Sequence, residues 1–123
     1  MNDQYVVVQN LTRSLKKPLH LKKCNTFLSR LRGFLFAKAP QVGDGLLFCF
    51  DRASRLNSAI HMIGVSFPLG VIWLDERKTV VDICRARPWG LAFIPKKPAL
   101  YVMECSPERL TEFQIGDILQ FIE

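Results

Sequence analysis

The charged tetrapeptide Asp75-Glu76-Arg77-Lys78, set between LGVIWL at 69–74 and TVVDICR at 79–85, most narrows what this chain can fold into. Two runs rich in Val, Ile and Trp on either side of a short polar turn read as an antiparallel hairpin. Such side chains pack well on a pleated surface, and the turn residues reverse the chain. Pro68 has no N–H to give a ladder, so it must start the first strand or sit at a bulge or edge. Further β-prone runs lie at 4–9, 19–24, 46–50, 60–62, 99–105 and 118–122. The three consecutive valines of the first run place it at a sheet centre or buried on both faces, and LLFCF at 46–50 is a central or covered strand.

Helical spacing occurs in only two places. Asn25 or Thr26 can cap a short helix carrying Phe27, Leu28 and Leu31, ended near Gly33, and Ser106-Pro107-Glu108 has a cap, an N1 proline and a first-turn acid for one helical turn through Phe113. Residues 87–98 hold three prolines and no sustained period, which predicts a long loop with Trp89 and Phe93 as apolar anchors, a lid or a plug. The expected architecture is mainly β: a single small β-barrel or jelly-roll-like sandwich of about seven or eight short strands with one or two short helices, built on one domain spanning 1–123.

At 123 residues, one hydrophobic core suffices. Apolar runs stay well short of the ~18 residues of a spanning helix, and no basic stretch precedes the first apolar patch, so the expectation is a cytoplasmic protein with no membrane partner. Cys24, Cys49, Cys84 and Cys105 are scattered without a C-x-x-C pair. That spacing predicts neither a zinc site nor a dithiol, and small buried thiols rather than bridges. Charge is uneven: residues 1–43 carry eight Lys and Arg against Asp3 alone, while 44–123 carry nine basic and ten acidic residues. A solvated basic face is the ordinary reading. A polyanion site on Lys16, Lys17, Lys22 and Lys23, within 13–38, is the alternative.

Chemistry has few candidates. Only His20 and His61 offer an imidazole, and no nucleophile elbow is present, so no catalytic residue is assigned. His61 lies on an apolar run near Pro68, where a pocket rim can form. Glu104 lies inside ALYVMEC, so its carboxylate must face solvent or meet a cation such as Arg30 or Arg85. No metal or cofactor is called for.

The ordered motifs Arg30 with Arg32-Gly33, Asp44-Gly45-Leu46-Leu47-Phe48-Cys49-Phe50, Phe67-Pro68-Leu69 leading to Asp75, Pro88-Trp89, Ala99 with Glu104, and Gly116-Asp117 resemble the bacterial and archaeal family called domain of unknown function 192, over about 24–122. The resemblance implies a compact, mainly β, barrel-like or jelly-roll-like fold and no established reaction. Many members look exported; a chain starting directly at its first strand is similar to the cytoplasmic kind. Two departures stand out. Many relatives read like Trp-Met-Lys-Asn-Thr where this chain has His61-Met62-Ile63-Gly64-Val65, and carry an aspartate after Pro-Leu where it has Gly70. A site built on those polar groups does not carry over.

The functional expectation is a non-catalytic cytoplasmic ligand-binding or interaction module, taking a small-molecule or protein ligand, with His61, Trp89, Arg30 and Glu104 as binding candidates. Nucleic-acid or polyanion binding through 13–38 is the alternative, less favoured. A small-molecule enzyme with a pocket near His61 is a third reading.

Overall fold

Alternation of apolar and polar residues dictates which face each strand buries, and the computed structural model, which describes residues 4–24 and 38–123, follows it closely. Seven strands are formed among the described residues: β1 Tyr5–Asn10, β2 Leu19–Cys24, β3 Asp44–Ser54, β4 Leu69–Leu74, β5 Val80–Ala86, β6 Ala99–Cys105 and β7 Leu119–Ile122, with a 3-10 helix at Pro107–Glu112 between the last two. They form one sheet in the order β5-β4-β6-β3-β2-β1-β7. The expected mainly β, barrel-like class is therefore the observed one, as a curled half-barrel.

All strand pairs are antiparallel except β2–β3, which is parallel with His20 opposite Asp44 and Cys24 opposite Phe48. A parallel pair needs a crossover of a dozen or more residues, which 25–43 provides. The helix expected from Asn25 onward, with Arg30, falls outside the described residues. The hairpin is as the sequence reads: Asp75 accepts the backbone N–H groups of Arg77 and Thr79 on one carboxylate oxygen, and Lys78 takes the left-handed conformation that closes the turn. The run at 60–62, by contrast, is not a strand. It makes a single bridge, Ile60 to Phe93. β3 runs past Phe50 to Ser54, with a register shift between Cys49 and Ser54, because ladder bonds use backbone groups and tolerate the polar side chains there.

The sheet curls until its two edges meet at one corner. Val80 N–H donates to the Asp117 carbonyl at 2.8 Å, Gly116 N–H to the Val80 carbonyl at 2.8 Å, and Leu119 N–H to the Lys78 carbonyl at 2.9 Å. Inside lies one core to which every strand contributes, with Val8, Leu21, Leu47, Ile72, Met103 and Leu119 among its members. A second core covers the outer face of β3 to β6, around Phe48, Met62, Val71, Trp73 and Val102. The segment at 58–67 and Phe93 roof it.

Two buried polar clusters tie loops to this frame. Arg109 of the 3-10 helix, 2% exposed, pairs with Glu112 and donates to the backbone carbonyls of Lys17 at 2.6 Å, Val42 at 2.7 Å and Pro18 at 3.2 Å. Glu112 also accepts the Lys16 N–H at 2.8 Å. Asp117, expected only to shape a turn, is buried and accepts from Arg13, Asn10 and the Gln114 N–H at 2.8 to 3.0 Å. Burial pushes its carboxyl up, but the hydrogen bonds from Arg13, Asn10 and Gln114 outweigh that and hold it below its ordinary 3.8.

Gly70 is explained by the same packing. A Cβ there would meet the Leu110 side chain at 2.8 Å, so an aspartate at this position would push the 3-10 helix off β4.

Arg109→Ala should destabilise the fold by about 3 kcal/mol in urea unfolding, because Glu112 and three carbonyls lose their buried partner. A lowered folded-state value means that Asp117 contributes its full stability above the unfolded value near 3.8 and loses it as pH falls through the folded value. Asp117→Asn should flatten the acid limb of a stability profile measured between pH 2 and 5, and an unchanged limb would contradict this assignment.

Candidate functional site

The sequence candidates do not gather into one place. His61 and Trp89 lie on two loop segments, 55–65 and 87–95, that the backbone zips together over the outer core. Ile60 and Phe93 exchange N–H to carbonyl bonds at 3.0 and 2.9 Å, Met62 N–H donates to the Gly90 carbonyl at 2.8 Å, and Trp89 N–H to the Val65 carbonyl at 3.1 Å. Arg55 Nε closes the other end on the Pro95 carbonyl at 2.9 Å. Trp73, buried in β4, donates its indole N–H to the Ser58 carbonyl at 2.8 Å and so pins this double ribbon to the sheet.

Within the ribbon the two expected anchors divide. Phe93 packs against the outer core, with the Arg87 guanidinium 5.3 Å from its ring centroid. Its ring lies so close to Gly90 that a Cβ there would meet it at 2.5 Å. Trp89 does not plug anything. It is 59% exposed and sits at φ 60°, a left-handed conformation that bulky side chains rarely adopt. His61 is half-buried, and its Nδ1 accepts the Ile63 N–H at 3.2 Å, which ties the imidazole into its own turn.

Glu104 is 0% exposed. On β6 it stands between Leu46 of β3 and Val71 of β4, on the outer-core face, and no buried side-chain N or O atom among the described residues lacks a hydrogen-bond partner. Arg85, one cation considered for it, is exposed on β5 opposite Gly70, and Arg30 lies outside the described residues. Burial first, then the charges of Asp82 and Glu104, pushes the Cys84 thiol up to about 11, and burial takes Cys105 to about 12. All four cysteines are free thiols. Cys105 is buried as expected, whereas Cys49 is exposed.

The four lysines proposed for a polyanion are also dispersed. Lys16 and Lys17 are exposed and border an open groove of about 390 Å³ lined by residues 7–11 and 14–18. Lys22 is half-buried, and Lys23 is bonded to Glu123 at 2.6 Å, which raises its own affinity for the proton and lowers that of Glu123. Among the described residues no group of three His, Cys, Asp or Glu side chains could hold a metal ion, and no helix is long and apolar enough to cross a membrane.

Two features have no local signal in the sequence. Arg109 was passed over because a single arginine in a short helix looks like surface charge. Exposed Leu56, Ile63, Leu91 and Ile94 drew no notice because scattered apolar residues in loops read as anchors.

Sheet and ribbon define a curled β half-barrel whose outer face is roofed by two zipped loops. The chain belongs to the domain of unknown function 192 family: the family model, described as "Uncharacterized ACR, COG1430", matches residues 8–121, starting earlier than the motifs at 24–122 indicated. The UPF0127 protein TK1120 of Thermococcus kodakarensis is 36% identical over 103 residues, covering 82% of this chain and 64% of its own, so this chain spans under two-thirds of that relative. The UPF0127 protein PYRAB11210 of Pyrococcus abyssi is 31% identical over 118 residues, covering 94% of this chain and 97% of its own. A solved structure titled a "putative transcription regulator" from Sinorhizobium meliloti 1021 superposes with a TM-score of 0.80 at 18% identity over 98% of this chain and 94% of that one, which speaks for the fold alone.

Phe93→Ala should cost about 2 kcal/mol in urea unfolding, since its ring packs on the outer core, whereas Trp89→Ala should change stability by under about 0.5 kcal/mol. Equal losses would mean that Trp89 is an anchor after all.

Proposed function

We propose that this protein is a non-catalytic interaction module whose contact surface is the ribbon of 55–65 and 87–95. The observation that supports this most is Trp89. A large indole, exposed, is held at a left-handed φ by its bond to Val65, next to a glycine whose missing Cβ leaves room for the Phe93 ring. Backbone conformations of this kind persist only where surrounding bonds over-determine them, and they cluster at ligand clamps and functional sites. Ile63 and Leu91 are exposed on the same two segments, so the tryptophan extends an apolar surface rather than standing alone. Catalysis finds less support, because the His61 imidazole is committed to its own turn and Glu104 is closed off from solvent. Polyanion binding through 13–38 also has less, because Arg13 is committed to Asp117 and Lys23 to Glu123.

A photo-crosslinking residue placed at Leu91 in the full chain should yield products in an extract that retains its membranes, and the same residue at Gln120 on β7 should not. Equal labelling at both positions, or substrate turnover lost in a folded His61→Ala variant, would overturn the reading.

A further inference from the structure

Along the ribbon and its flanks, residues 52–65 and 86–97 contain Arg52, Arg55, Arg87, Lys96 and Lys97 and no aspartate or glutamate. All five cations are exposed. The acids close to them are outside these segments: Asp51 precedes them in sequence, Glu104 is buried on the outer-core face beneath, and Asp82 of β5 is buried, accepting the Lys96 backbone N–H at 2.9 Å. The same two segments carry five of the large exposed hydrophobic side chains: Leu56 at 75%, Leu91 at 74%, Trp89, Ile63 and Ile94. The backbone bonds from Ile60 to Phe93, Met62 to Gly90 and Trp89 to Val65, with the Arg55 side chain on the Pro95 carbonyl, hold the two segments side by side.

We infer that this surface docks on an anionic lipid bilayer. The inference rests on the interaction reading above and names its partner. Aliphatic and tryptophan side chains on loop tips enter the boundary between headgroups and acyl chains, where an indole is favoured because its ring is apolar and its N–H remains wet. A surrounding set of cations without acids is attracted by the negative surface of the bilayer. Both halves are needed, because a few loop residues bury little apolar area and the charges alone give a weak, salt-sensitive association.

Composition favours a bilayer over single-stranded nucleic acid, the other polyanion that basic surfaces attract. Nucleic-acid platforms stack bases on aromatic rings. Four of the five exposed side chains here are aliphatic, and Phe93 faces the core. The anchoring of the ribbon adds to the case, since Trp73 and Phe93 hold its backbone to the sheet and less of the chain has to be ordered on contact. Short apolar runs bear on spanning segments, whereas a surface assembled from two loops needs none.

Flotation of the full chain with vesicles of phosphatidylcholine containing 30% phosphatidylglycerol, roughly the anionic content that a polybasic surface responds to, checks this directly. The protein should float with these vesicles and stay below with pure phosphatidylcholine, and its tryptophan emission should shift to the blue, a change attributable to Trp89 because Trp73 is already buried. The double variant Trp89→Ser with Leu91→Ser, and separately the quadruple variant Arg55→Gln, Arg87→Gln, Lys96→Gln and Lys97→Gln, should each weaken binding by roughly tenfold or more. Retained protection of the Cys105 thiol shows that each variant is folded. No flotation with anionic vesicles, flotation indifferent to both variants, or tighter binding of single-stranded RNA to the same residues would overturn the inference. If flotation fails while ribbon-specific crosslinking at Leu91 persists, the bilayer is the wrong partner and the interaction reading stands. If both fail, both are wrong.

Discussion

A guanidinium taken out of water must find its full set of acceptors inside the protein, and Arg109 shows what that requirement organises. Its partners come from three parts of the chain: Glu112 on the same 3-10 helix, Lys17 and Pro18 before β2, and Val42 before β3. Removing any of those carbonyls would leave a buried charge under-compensated, so the loops entering the parallel β2–β3 pair are held to the helix that precedes β7. Because Leu110 of that helix packs in the space Gly70 leaves, the same contact sets its position against β4. The cation thus links both halves of the sheet, and the Asp117 cluster closes the corner beside it.

With the frame fixed at that end, the two faces of the sheet have different fates. Seven strands fill the interior with aliphatic side chains. The outer face of β3 to β6 is too apolar to be left wet, and the two loop segments that roof it are the 55–65 and 87–95 ribbon. Roofing turns one side of each segment inward, which accounts for Ile60, Met62 and Phe93. The other side remains outside with Trp89, Ile63 and Leu91, so the interaction surface proposed here is the reverse of a structural seal.

Much of the fold was legible because its signals are local. β4 and β6 occupy the runs 69–74 and 99–105 that β-branched and aromatic content marks out, and Asp75 makes the turn its position predicts. Ile60 to Met62 misled, since a run of apolar residues next to Pro68 looks like a strand whether or not a partner backbone follows it; here Gly90 and Phe93 allow one bridge only. Of the site candidates, Trp89 is exposed, Glu104 is buried and His61 is tied to Ile63. The exposure of Trp89 and the burial of Glu104 are not encoded in neighbouring residues.

By itself the sequence determined the class of fold, the hairpin, the turn chemistry and the family, because periodicity and turn residues act over a few positions and survive any tertiary arrangement. Only the tertiary structure decided which arginine is buried, which cysteine is exposed, and that 55–65 and 87–95 pair as one ribbon over the outer core. The reason is physical: solvation of a side chain depends on what the rest of the chain places over it, and here that cover comes from residues tens of positions away.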